Sequence, residues 1–240
     1  MQNKVGFITY AHRGASHYCP ENTLLSFYTG IYMGANGIET DIRSTKDGKL
    51  VLFHDDTLER VTGEKGSVAD YTYDELQAFF VKKNDLKDKI ITFEEFLARF
   101  NHFDITFAIE LKVAGIEKTL ADIIYKYGVE NKCIITSFEI DYLKTMKEYA
   151  PKLRIGYLTS NIEDEVVQLL LGMGAYEICP EGKQVTKELV EIWHKYGLNV
   201  RAWGISDINV MAAVYNAGVD GMTVNFPDSL VSYIKQTSKA

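Results

Sequence analysis

Glu39-Thr40-Asp41 places two carboxylates two residues apart in a β-rich stretch, so both point to the same face of a strand. Like charges that close are unfavourable unless a cation sits between them or one is protonated. Glu110, near the end of another β-rich run, adds a third acid. Three hard oxygen ligands with room for water suit Mg²⁺ or Ca²⁺ better than Zn²⁺. A solvated rim, or salt bridges to Arg13, Arg43 or Lys112, is the competing reading. His12 and His54, two of five histidines, both stand at the ends of candidate strands. Opposed across a pocket, they can take one proton and give another. A satisfied structural histidine or a metal ligand is the alternative for each. Neither pairs with a serine in a nucleophile elbow, so a Ser-His-Asp triad is not supported.

Arg13 offers a planar fork for two phosphate oxygens, and Lys112 follows Glu110 by two residues and so points to the same side. Pairing with the acids is the other use of both. The helix start at Asn22-Thr23 could lend backbone N–H donors to an anion, while Glu21 equally suits a charge complementing the helix dipole. Phe138 and Trp203 stand where strands give way to loops and either wall a small pocket or simply pack. Cys133 and Cys179 lie inside strands, as small core residues.

These residues need a scaffold that brings strand ends together. In the second half of the chain, β-rich runs at Lys132–Thr136, Leu153–Leu158, Ala175–Cys179, Asn199–Trp203 and Val219–Val224 alternate with helical stretches at Glu139–Tyr149, Ile162–Gly172, Thr186–Tyr196 and Asp207–Ala217. Thr186 is a natural N-cap, with Val185 and Val190 placed as a staple. Leu189, Ile192, Trp193 and Tyr196 mark the apolar face of that helix. Gly34, Gly128, Gly174, Gly197 and Gly218 each close a helical run before a strand. Repeated helix–strand units of this size make a parallel sheet with helices outside.

The first half adds Val5–Tyr10, Gly37–Arg43, Leu50–His54 and Ile105–Leu111, giving nine strands for eight barrel positions. The turn-rich segment Ser44–Lys49 resolves the conflict by joining Gly37–Arg43 and Leu50–His54 as a hairpin, one arm of which extends the mouth. If Arg43 faces Leu50, Glu39 falls opposite His54. Residues 55–91 fit no unit and read as an insertion at the barrel mouth, with turns at Thr62-Gly63 and Lys65-Gly66 and a helical stretch near Tyr73–Phe80. The fold expected is α/β, a (β/α)₈ TIM barrel, whose sites lie at the C-terminal strand ends.

With 240 residues and no Pro/Ser linker, a single domain over 1–240 is expected. A net charge of −7 argues against nucleic acid as a partner, though not against a phosphate substrate if a cation supplies positive charge. Three cysteines without CxxC spacing point to neither a disulfide framework nor zinc and fit a reducing cytosol. No run approaches the length of a membrane helix, and the first apolar run is too short for a signal segment, so a cytoplasmic location is expected.

Taken in order, His12-Arg13-Gly14 with Glu21-Asn22-Thr23, then Glu39-Thr40-Asp41, His54-Asp55-Asp56-Thr57-Leu58-Glu59-Arg60, Glu110-Leu111-Lys112, Ser137-Phe138 and Gly218-Val219-Asp220-Gly221 resemble the motifs of the glycerophosphodiester phosphodiesterase family, over positions 5–227. The resemblance implies Glu39, Asp41 and Glu110 as ligands of Mg²⁺ or Ca²⁺, His12 and His54 as the acid–base pair, and Arg13 and Lys112 as the phosphate holders. It implies release of glycerol-3-phosphate and an alcohol from diesters such as glycerophosphocholine or glycerophosphoethanolamine. Three positions depart from the pattern: Trp203-Gly204-Ile205-Ser206 for Trp-Thr-Val-Asn, Asn225 for an acid, and Val61-Thr62 for two threonines. None is expected to touch the acids or the histidines. A lysophospholipase D would share the site but need an apolar groove, for which the insertion is too polar. A phosphoinositide-type lyase also uses two barrel histidines but fits the acids and E-x-K less well. A non-catalytic glycerol-phosphate binder would be marked by loss of a histidine or acid.

Overall fold

The computed structural model describes residues 6–237, so Val5 of the expected first strand lies outside the described residues. Its strands are β1 (Ile8–His12), β2 (Gly37–Ser44), β3 (Leu50–Leu52), β4 (Val81–Lys83), β5 (Leu86–Asp88), β6 (Thr106–Leu111), β7 (Cys133–Ser137), β8 (Arg154–Thr159), β9 (Glu177–Pro180), β10 (Asn199–Ala202) and β11 (Gly221–Val224). The α-helices are α1 (Leu24–Tyr32), α2 (Glu59–Thr62), α3 (Tyr73–Leu76), α4 (Phe93–Phe100), α5 (Glu117–Tyr127), α6 (Ile140–Tyr149), α7 (Asp164–Gly172), α8 (Lys187–Lys195), α9 (Ile208–Ala217) and α10 (Pro227–Thr237).

Strands β2, β6, β7, β8, β9, β10, β11 and β1 pair in that order, every pair parallel, and β1 returns to β2 to close an eight-stranded (β/α)₈ barrel. Outward residues such as Ile38, Ile42, Phe107 and Ile109 join one buried cluster under α4, α5 and α6. Val200, Met222 and Val224 join a second under α7, α8 and α9. The five closing glycines all carry positive φ, from 62° to 95°, as helix termination requires.

β3 is the ninth strand, antiparallel to β2 and outside the parallel set. The expected hairpin is therefore present, shifted by one residue: Arg43 faces Val51, and Ser44 faces Leu50. The turn explains the shift. Thr45 N–H donates to Lys49 O and Thr45 Oγ1 to Asp47, so the turn closes at Thr45 and leaves Ser44 in the strand. The ladder ends at Leu52, short of the expected pairing of Glu39 with His54. The first strand likewise runs to His12 rather than Tyr10.

In α8, Thr186 caps the helix by accepting from Leu189 N–H. The buried face is Val190 and Trp193, whereas Ile192 and Tyr196 are 42 % and 47 % exposed. The expected face was rotated because Val190, one residue after Leu189, supplies the inward contact.

Residues 55–91 form the expected insertion, holding α2, a short 3₁₀ turn, α3 and the hairpin β4–β5. It has a core of its own, in which Leu58, Val61, Val68, Leu76, Val81 and Ile90 pack on Val51 and Phe53 of the β3 arm. Among the described residues, no helix is long and apolar enough to cross a membrane.

Candidate active site

At the C-terminal strand ends lies a cavity of about 430 Å³, lined by His12, Arg13, Glu39, His54, Glu110, Lys112, Phe138 and Trp203, among others. Eight of the nine residues singled out from the sequence thus face one space. The ninth, Asp41, lies fully buried beneath them.

Strand register makes the acidic cluster. His12 on β1 stands beside Glu39 on β2, and Asp41 stands beside Glu110 on β6. One oxygen from each of Glu39, Asp41 and Glu110 lies within 4.8 Å of the others, and all three residues are buried. Burial, with Asp41 and Glu110 nearby, pushes the Glu39 carboxyl well above the usual range. Burial and the Asp41 charge raise Glu110 to about 7. Burial would also raise Asp41, but Arg13 and Lys112 outweigh it and hold the carboxyl at about 2. Asp41 Oδ1 accepts no hydrogen bond, Lys112 Nζ standing 3.5 Å away. Three convergent hard oxygens, one of them orphaned, fit a divalent cation. Without one, Glu39 and Glu110 hold their protons to higher pH than ordinary carboxyls, while Asp41 stays ionised.

Arg13 and Lys112 are tied to these acids. Lys112 Nζ is 2.6 Å from Glu110 Oε1. Arg13 Nη1 donates to Glu21 Oε1 at 3.0 Å, and its Nε stands 3.1 Å from Asp41 Oδ2 out of hydrogen-bond alignment. Arg13 and Asn22 both take left-handed backbone conformations, φ 54° and 55°, as happens where a site constrains the chain. Arg13 N–H donates to Glu39 O, and Arg13 O accepts from Asn22 N–H. Between them Gly14 lies so close to α1 that a Cβ would meet Ser26 atoms at 2.4–2.6 Å, which explains the glycine after His-Arg.

Both histidines are held through Nδ1, and His12 Nε2 stands 3.8 Å from Glu39 Oε2, beyond hydrogen-bond distance. His12 Nδ1 lies 2.5 Å from Asn225 Oδ1, which also accepts from Ser16 Oγ. His54 Nδ1 lies 2.7 Å from Asp55 Oδ1. Burial and then Arg13 lower His12 to about 4. Burial lowers His54 as well, with Asp41 and Asp55 working against it.

Several partners escaped the sequence. Asn225, expected to touch neither acids nor histidines, is the anchor of His12. Its motif departure marked the position, but its partner lies 213 residues away. Asn22 does not offer its backbone to an anion: its N–H is taken by Arg13 O, Thr23 N–H by Ser26 Oγ and Leu25 N–H by Asp88. Its side chain instead donates to Asp41 Oδ2 at 2.8 Å and accepts from Thr40 Oγ1. Glu21 serves Arg13 and Arg60 rather than a helix dipole. Cys179 is fully buried, as expected of a small core residue, and inside the barrel its thiol also meets the buried pair Glu177–Arg201.

Phe138 and Trp203 meet edge to face, centroids 4.9 Å apart, and form an aromatic wall of the cavity. Trp203 Nε1 donates to Cys179 O at 3.0 Å, fixing its ring.

Known proteins share this arrangement of chain. The chain is 34 % identical to a glycerophosphodiester phosphodiesterase of Caldanaerobacter subterraneus over 95 % of its length and 98 % of the relative's. It is 30 % identical to one of Bacillus altitudinis, over 92 % and 96 %. The fold superposes, with a TM-score of 0.86, on a phosphodiesterase of Oleispira antarctica solved in complex with the product sn-glycerol-3-phosphate, at 24 % identity and 95 % and 96 % coverage. The family model of glycerophosphoryl diester phosphodiesterases matches residues 12–229, and the chain belongs to that family.

Proposed function

We propose that the chain acts as a single catalytic domain and hydrolyses a glycerophosphodiester to glycerol-3-phosphate and an alcohol, with His12 as base and His54 as acid. The observation that carries this reading is the pair of histidines, each tied back through Nδ1, beside one buried acid cluster.

Glu39, Asp41 and Glu110 would hold Mg²⁺ or Ca²⁺. Such an ion, when bound, supplies positive charge to the phosphoryl oxygens. Arg13 and Lys112 grip the non-bridging oxygens and stabilise charge building on them. His12, facing a neutral amide, stays unprotonated at neutral pH, and its Nε2 takes the proton of the nucleophile, either water or the glycerol 2-hydroxyl. Burial lowers His54, the carboxylates of Asp41 and Asp55 work against that loss, and His54 Nε2 delivers a proton to the departing alkoxide. Phe138 and Trp203 wall the substrate pocket.

A small water-soluble diester is favoured over a lysolipid. Leu58, Val61, Val68, Leu76, Val81 and Ile90 of the insertion are turned into its own core, and none of its apolar side chains lines the cavity. The test is glycerol-3-phosphate release from glycerophosphocholine and glycerophosphoethanolamine with Mg²⁺, Ca²⁺ or EDTA, beside His12→Ala and Glu39→Ala. Release that requires a metal and both residues is expected. No release from the folded protein with either metal would sink this reading.

A further inference from the structure

Arg60 does not line the cavity, yet it grips the partners of two residues that do. Its Nε and Nη2 lie 2.5 and 3.1 Å from Asp55 Oδ2 and Oδ1, and its Nη1 and Nη2 lie 2.9 and 2.7 Å from Glu21 Oε2 and Oε1. Asp55 holds His54 Nδ1, and Glu21 holds Arg13 Nη1. A planar guanidinium is the side chain suited to engaging two carboxylates at once.

The insertion keeps Arg60 in place. Arg60 belongs to α2, flanked by Leu58 and Val61, both buried in the insertion's core. Gly63, φ 83°, ends that turn, and Lys82 Nζ donates to Thr62 O at 2.8 Å. The hairpin β4–β5 is fastened to the segment that carries Arg13 and Glu21. Lys83 Nζ donates to Ser16 O, and Asp88 Oδ2 accepts from Leu25 N–H. The Arg60–Glu21 pair is a third fastening along that segment.

We propose that Arg60 is a positioning residue: by locking Asp55 and Glu21 it sets the ring of His54 and the fork of Arg13, and so gives the insertion a part in the reaction without touching substrate. This rests on the roles given above to His54 and Arg13. The Arg60 side chain is 48 % exposed, and ion pairs in such surroundings add little to stability. Its loss should therefore damage turnover far more than folding.

The experiment uses the full chain with saturating divalent metal and glycerophosphocholine. Arg60→Ala is expected to lower kcat roughly 10–100-fold, the scale of a small misplacement of reacting groups. KM should stay within about threefold and the melting temperature near that of the wild type. Arg60→Lys, which keeps the charge but cannot grip both carboxylates, should fall between, and added guanidinium ion should restore part of the Arg60→Ala loss. In a Glu21→Gln/Asp55→Asn background, Arg60→Ala should cost little more. An equal loss in that background, or wild-type kcat in Arg60→Lys, would overturn the proposal. A readout independent of turnover separates it from the assigned reaction. The Nδ1–H proton resonance of His54, held by Asp55, should broaden in Arg60→Ala and sharpen again with guanidinium. An unchanged resonance overturns the proposal even if the wild type cleaves nothing.

Discussion

The two sides of the barrel mouth are built from the same strand–helix unit and carry opposite kinds of side chain. The β1–β2–β6 side presents His12, Glu39, Asp41 and Glu110, with Arg13 and Lys112 just beyond the strand ends. The β7–β10 side presents Phe138, Leu158 and Trp203. The strands of that side also hold a buried carboxylate, Glu177, deeper in the barrel at the first residue of β9, matched by Arg201 at 2.8 Å, and Thr223 and Cys179 occupy the rest of that guanidinium. Across the mouth, three buried acids share two cations, one of which also serves Glu21. A matched buried pair is scaffold, whereas an acid cluster short of cations is suited to hold a divalent metal. Charge chemistry thus belongs to one side and pocket shape to the other.

The largest expected effect comes from taking the acid cluster apart. Chelation, or Glu39→Ala, should reduce turnover by more than the ~10⁴ that loss of one acid–base group can reach. Glu39→Gln should also raise the melting temperature of the metal-free protein, because one of the repelling acids is gone. Glu177→Gln should do the reverse and destabilise by about 3–5 kcal/mol, since it leaves Arg201 buried and unpaired. Calorimetry of the two variants breaks the comparison if both melt in the same direction. Next in size, His12→Ala and His54→Ala should each lower kcat about 10²–10⁴-fold with KM little changed, as measured by glycerol-3-phosphate release.

A smaller effect should follow on the aromatic side. Phe138→Ala and Trp203→Ala open the aromatic wall of the cavity, so the ratio of kcat/KM for choline and ethanolamine diesters should move by about tenfold or less. Metal dependence should not move with it. A Trp203 variant that loses its response to metal would mean that shape and charge are not divided between the two sides.

How far the sequence revealed this site depended on whether each residue sits in a periodic element. Glu39 and Asp41 were legible because strand alternation fixes their common face, and the barrel was legible because glycines close its helices at regular intervals. The hairpin register slipped by one residue because hydrogen bonds inside the Ser44–Lys49 segment, and not the strand pattern, decide where the turn closes. Arg60, Glu21 and Asp55 were illegible as a unit, since Glu21 and Asp55 lie on irregular backbone, Arg60 lies on a single helical turn, and Arg60 meets Glu21 across 39 residues. Asn225 stood out as a departure from a motif, but only its position at the mouth assigns it to His12.

The smallest effect is on stability against pH, and its sign distinguishes the two sides once more. In the metal-free protein, Glu110 is raised to about 7 and Glu39 is raised well above its usual range, so the folded state holds protons that the unfolded chain releases near pH 4. Such groups lose stability as pH rises towards their folded pKa. His12 and His54 are lowered, the first to about 4, and their contribution grows with pH up to the ordinary histidine value of about 6.5. The two trends oppose each other below that point. Between about pH 6.5 and 8 the acids act alone, and the metal-free melting temperature should fall. Divalent metal, which binds the deprotonated acids, should raise the melting temperature more at pH 8 than at pH 6. Glu39→Gln should flatten the fall, and Glu177→Gln should leave its slope in place. A metal-free melting temperature that rises from pH 6.5 to 8 would mean that the three acids are not the strained cluster their burial and spacing describe.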